Sequence, residues 1–160
     1  MAYIFVTTIH NLLRWALLIV AIASLVRAYT GWFGKKNWTA LDMNLAMLFT
    51  SFFDLQILAG LILIFFFSPS TKVGLANPGM IMSDALSRFY FIEHMFMMLV
   101  AVVVAHIGFT KAKKAVSSFY KFRTLAIWFT ISLLIILVSI PWPFRDPGAP
   151  WLRLGSFILR

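Results

Sequence analysis

Six ionisable side chains stand inside or at the mouths of long apolar runs in this 160-residue chain: His10, Arg14, Asp54, Glu93, His94 and His106. Such groups are costly at membrane depth, so each is a candidate for function. His10 and Arg14 are four residues apart and share one helix face, which continues through Leu17, Ala21, Ser24 and Ala28. The face of His94 continues through Met98, Ala101 and Ala105. Both faces carry small residues, which permit close approach of a helix or a flat cofactor. In an up-down topology the two runs are parallel, and both histidines lie roughly 8–10 Å deep at 1.5 Å per residue. Two neutral imidazoles at one depth on facing helices can ligate a haem iron from both sides, and helix bundles build cofactor sites in this way. Arg14 then offsets a propionate charge. The alternative is that each histidine hydrogen-bonds a neighbouring helix or an interfacial carbonyl.

The other polar residues point to less specific chemistry. His106 follows His94 by twelve residues, which turns it by about 120° and carries it ~18 Å along the helix. It is expected near the opposite interface beside Lys111, with no second histidine at its level, so a second bis-histidine haem is not expected. Asp54 lies near the middle of its run. It is read as a proton-relay carboxylate, as the partner of Arg14, or as a protonated acid bonded to a neighbouring helix. Glu93 points about 100° away from His94 and either pairs with Arg88 or faces quinone or protein. For both acids structural pairing comes first. Met95, Met97 and Met98 are read as packing or lipid-facing side chains without a ligand role. The chain has 0 cysteines, which excludes covalent c-type haem, a cysteine-ligated iron–sulfur cluster and disulfides. No nucleophile elbow, phosphate loop or zinc signature supports a hydrolase or transferase.

The elements that must position these residues follow from composition. Hydrophobic residues make up 62% of the chain and charged ones 12%, against 45–50% and ~25% in soluble domains. A crossing helix needs roughly 20 apolar residues. The sequence predicts an all-α, integral membrane four-helix up-down bundle in one domain, with helices at about 3–26, 43–67, 84–109 and 124–140 and an interfacial tail over 141–160. Arg27 ends the first run, Ser68-Pro69-Ser70 the second and Pro141-Trp142-Pro143 the fourth, while Gly74, Pro78 and Gly79 break the long loop. Ser83 is the expected N-cap of the third helix, with Asp84 in its first turn. Spanning strands are a poor alternative, because these runs are long and do not alternate. The first run lacks a basic n-region and a cleavage site, so it is read as retained rather than as a signal peptide.

The net charge is +9, from 14 Lys+Arg against 5 Asp+Glu. The basic residues gather at the ends of apolar runs, where they set topology and meet anionic lipid, so nucleic acid is not an expected partner. Arg27, Lys35, Lys36, Lys111, Lys113, Lys114, Lys121 and Arg123 fall on one side; Lys72, Arg88, Arg145, Arg153 and Arg160 fall on the other. The first side is the expected cytoplasmic one, which puts both termini outside.

Three stretches carry a resemblance: His10-Asn11-Leu12-Leu13-Arg14-Trp15, Arg88-Phe89-Tyr90-Phe91-Ile92-Glu93-His94 and Ser139-Ile140-Pro141-Trp142-Pro143-Phe144-Arg145. In order and spacing the chain resembles small four-helix membrane proteins of Bacteroidota-type bacteria, usually labelled "cytochrome B". In that family a histidine often stands where this chain has Asp54, ahead of Leu55-Gln56. The resemblance implies a b-type haem or related electron-transfer role in the bacterial cytoplasmic membrane. The leading expectation is a cytochrome-like subunit with one haem b between the first and third helices, working within a larger membrane complex. The alternatives are a haem-free accessory subunit of a respiratory or photosynthetic complex, and a quinone- or proton-handling subunit using Asp54 and Glu93.

Overall fold

The structure is a computed structural model that describes residues 1–67, 77–144, 146, 149–154 and 157–159. The expected stop at Ser68-Pro69-Ser70, the breaker Gly74, and Lys72, Arg145 and Arg160 lie outside the described residues. Helix α1 spans Ala2–Phe33, α2 Ala40–Phe67, α4 Ala85–Lys114 and α5 Ser118–Ser139. A short helix, α3, covers Pro78–Ser83. Strands β1 (Leu152–Leu154) and β2 (Phe157–Leu159) form an antiparallel pair, with Arg153 opposite Ile158.

The four long helices are each long and apolar enough to cross a membrane. At most 39% of each span's most apolar stretch is buried inside the bundle. The remaining apolar surface faces outward, which a lipid bilayer accommodates and water does not. Helix α1 packs on α2 and α5, and α4 packs on the same two. The bundle is therefore a ring of antiparallel neighbours, with α1 and α4 on a diagonal, parallel and facing each other across the centre.

The middle of the bundle is closed by aromatic rings set against small residues. Phe49, Phe53 and Phe129 are fully buried beside Ala21, Ala46, Ala101 and Ala105. The Phe49 and Phe129 rings meet edge to face, 4.6 Å between centroids, and such pairs add about 0.5–1.5 kcal/mol to simple burial. Two buried serines bond across neighbouring helices in this middle layer. The Ser24 hydroxyl donates to the Leu45 carbonyl at 3.0 Å, and that of Ser132 to the Ala101 carbonyl at 2.8 Å.

The helix ends depart from the sequence reading. Helix α1 does not stop at Arg27. Its last turns run through Tyr29, which bonds the Thr130 hydroxyl at 2.8 Å, and Gly31, where a Cβ would lie 2.4 Å from the Phe122 ring. The chain reverses at Lys35, whose φ of 48° lies in the left-handed region. Helix α2 starts at Ala40 rather than Met43, because Asp42 accepts from both the Thr39 N–H and the Thr39 hydroxyl. Arg27 pairs with the same carboxylate at 2.8 Å and so ties the end of α1 to the start of α2. Asp84, not Ser83, caps α4, with its carboxylate accepting from the Ser87 N–H at 2.7 Å. Hydrogen bonding from Ser87 holds the Asp84 carboxyl below the usual carboxylate range. Ser117 caps α5, which begins at Ser118, six residues before the expected start near 124.

Candidate functional site

The four helices and the tail line a partly open cavity of about 490 Å³ at the end of the bundle that carries the N-terminus. That size lies within the ~300–1,000 Å³ typical of small-molecule sites. Helix α1 brings His10, Asn11 and Arg14 to it, α2 brings Gln56 and Gly60, and α4 brings Tyr90 and His94. His10 and His94 thus border one cavity from diagonally opposed helices. Both α2 and α4 adopt π-type turns here, at Leu63–Phe67 and Phe89–Glu93. Such turns are rare and recur at functional sites. Leu63, Ile64, Tyr90 and Phe91 line the cavity where these turns widen the helices.

His94 is held in one tautomer. Its Nδ1 lies 2.7 Å from the Ser139 carbonyl oxygen. Ser139 ends α5, so its carbonyl has no partner within the helix and is available. A carbonyl only accepts, so Nδ1 carries the proton and Nε2 keeps its lone pair. This is the arrangement that orients a metal-ligating imidazole.

His10 is held differently. Its Nε2 lies 3.2 Å from Gln56 Nε2. With the amide donating, the ring proton sits on Nδ1; with the amide turned over, Nε2–H donates to Gln56 Oε1 and Nδ1 keeps the lone pair. Gly60 makes room for this ring, since a Cβ there would lie 3.2 Å from His10 Cε1. Holding a metal through Nε2 would require Gln56 to give up its bond, whereas holding one through Nδ1 would leave that bond in place.

Arg14 is buried, and its guanidinium donates to the carbonyls of Pro150 and Trp151. Trp15 Nε1 donates to the same Trp151 carbonyl at 2.8 Å, and Asn11 Oδ1 accepts from the Arg153 N–H at 3.1 Å. The Arg14 guanidinium also sits over the rings of Trp15 and Trp142, 5.4 and 5.9 Å from their centroids. Tyr90 donates to Asp146 at 2.6 Å. The three sequence motifs therefore converge at one end of the bundle, where they dock the tail over the cavity.

Four buried polar atoms have no hydrogen-bond partner among the described residues: His10 Nδ1, Arg14 Nε, Gln56 Oε1 and Arg153 Nε. All four residues border the cavity. An orphaned buried polar atom is worth about 1–3 kcal/mol of instability, so a ligand able to engage these atoms binds with that advantage. The donor set suits a largely apolar body with acidic edges and a metal centre: two imidazoles, two arginine N–H groups and apolar walls. The residues present fit a haem.

The remaining candidates lie elsewhere. Asp54 does not partner Arg14; its carboxylate lies 2.8 Å from His106 Nε2 on the outer surface between α2 and α4. His106 is accordingly this acid's partner as well as a neighbour of Lys111 along one groove. Glu93 pairs with Arg88 at 3.1 Å, with both side chains well exposed. Sequence reasoning gave no role to Gly60, named Asn11 and Tyr90 only within the motifs, and placed the tail at the interface without a part in the site. The tail's part was legible only in the clustering of Trp142, Trp151 and Arg153 after the last span. No family model, no curated protein and no solved structure matches the chain.

Proposed function

We propose that the chain is a b-type cytochrome-like subunit of an electron-transport complex, with one haem held between α1 and α4. The observation that carries this reading is that His10 and His94 border the same cavity as two arginines whose buried Nε atoms lack partners among the described residues. His94, fixed by the Ser139 carbonyl, is the better-prepared ligand, and His10 is the opposing one. Arg14 Nε and Arg153 Nε would meet the propionates, while Arg14 also keeps the tail docked over the site. Bound there, haem supplies a one-electron Fe(III)/Fe(II) couple, and the apolar walls exclude water from it. The resemblance of the three motifs to the "cytochrome B" group agrees with this role. The proposed setting is the bacterial cytoplasmic membrane, with both termini outside and a larger membrane complex, or quinone, as redox partner.

The second reading, a haem-free accessory subunit, has its own support. His10, His94 and Arg14 each have at least one hydrogen bond to another element. A reduced-minus-oxidised spectrum of the purified protein separates the two. The cytochrome reading expects a sharp α-band of b type that is lost in His94→Ala and in His10→Ala. A featureless difference spectrum from protein isolated with its native complex supports the accessory reading instead.

A further inference from the structure

The outward face of α2 carries polar side chains where a lipid-facing surface is normally apolar. Asn44, Met47, Ser51, Asp54 and Leu58 are all exposed, and their spacing alternates between three and four residues. That alternation is the pattern of a helix–helix seam. The Asp54 carboxylate bonds His106 Nε2 at 2.8 Å, yet the two side chains remain 57% and 44% exposed. They lie in an open groove walled by Val102, Val103 and Ile107, with Thr110 and Lys111 at one end. Asp54 stands at the midpoint of a 28-residue span, so the pair is at hydrocarbon depth. Ionisable groups at that depth almost always face protein or a water-filled cavity. Hydrogen-bonding side chains there join helix to helix.

We propose that this face is the twofold interface of a homodimer, in which α2 packs along α2 of a second copy. A twofold axis along the membrane normal preserves depth, so each acid–imidazole pair meets its equivalent. The pair is self-complementary: the carboxylate of one copy comes within reach of the imidazole of the other, and the four groups close a ring. Asn44 and Ser51 then meet their counterparts at seam positions, where a buried asparagine sets register and favours two strands. The groove between α2 and α4 receives the apolar side chains of the second copy. This inference does not depend on haem.

The chain has 0 cysteines, so Ser51→Cys introduces its only thiol, with little change in volume. In native membranes treated with a mild oxidant, Ser51→Cys is expected to form a disulfide-linked species of twice the 18.3 kDa chain mass. Ile19→Cys, on the outward face of α1, is expected to stay monomeric. Adding Asp54→Ala and His106→Ala to Ser51→Cys should slow cross-linking several-fold while circular dichroism keeps its helical signal. A monomeric Ser51→Cys overturns the proposal. So does cross-linking to a different protein, or equal cross-linking of Ile19→Cys.

Discussion

At the scale of single residues, the molecule uses buried polar groups in pairs, and removing one partner exposes what the pair does. Asp42 shows this most clearly. Its side chain is 1% exposed and is bonded by Arg27 and Thr39. Arg27→Ala leaves that carboxylate without its cation, and a broken charge-assisted bond of this kind costs about 1.5–3 kcal/mol. The expected result is a lower unfolding midpoint in detergent, with the helical signal of the folded state unchanged. An unaltered midpoint would count against the tie between α1 and α2. The same pairing logic explains what could be read of the site from sequence. The depths of His10 and His94 follow from counting residues, and the structure brings both to one cavity. The Gln56 and Ser139 bonds do not follow, because they depend on how each helix is rotated about its axis. The Asp54–His106 pair was not legible, since counting residues puts His106 near the interface and Asp54 at mid-span, whereas the structure brings them to 2.8 Å on the outer surface.

At the scale of elements, close approach of helices depends on a few small residues. Gly108 sits against Trp128, where an added Cβ would lie 2.3 Å from the Trp128 Cβ. No rotamer change relieves a contact between two Cβ atoms, so α4 and α5 must separate. Gly108→Ala is expected to destabilise the bundle by about 1–3 kcal/mol, the usual range for overpacking. A denaturant titration in micelles measures this, and a wild-type midpoint would refute the packing described for α4 and α5. The existence and number of the helices were legible in the sequence, because apolar runs of this length have few other solutions. Their ends were not. In sequence the first run ends at Arg27, yet contacts to Thr130 and Phe122 carry the helix on to Phe33. The π-type turns at Leu63–Phe67 and Phe89–Glu93 have no signature in periodicity. The β1–β2 pair in the tail was likewise hidden, since its six residues are too few to show alternation.

At the scale of the whole molecule, the bundle is asymmetric between its two ends. One end is held by Arg27–Asp42 and by aromatic packing around Gly31. The other holds the cavity and is covered by a tail that Asn11, Arg14 and Trp15 bind through its backbone. The tail is docked partly through its backbone carbonyls and one N–H, contacts that no side-chain pattern records, and partly through Trp142 and Asp146. The bundle centre is closed by Phe49, Phe53 and Phe129, so the proposed haem would have room only at the tail end, where the cavity bordered by the two histidines lies. The most direct test of this account is the haem content of the protein purified in mild detergent from its native membrane, measured by pyridine haemochrome against protein concentration. The account predicts close to one haem b per chain, falling to near zero in His94→Ala with the fold intact. Folded wild-type protein carrying no haem, or a His94→Ala variant with full haem content, would contradict it.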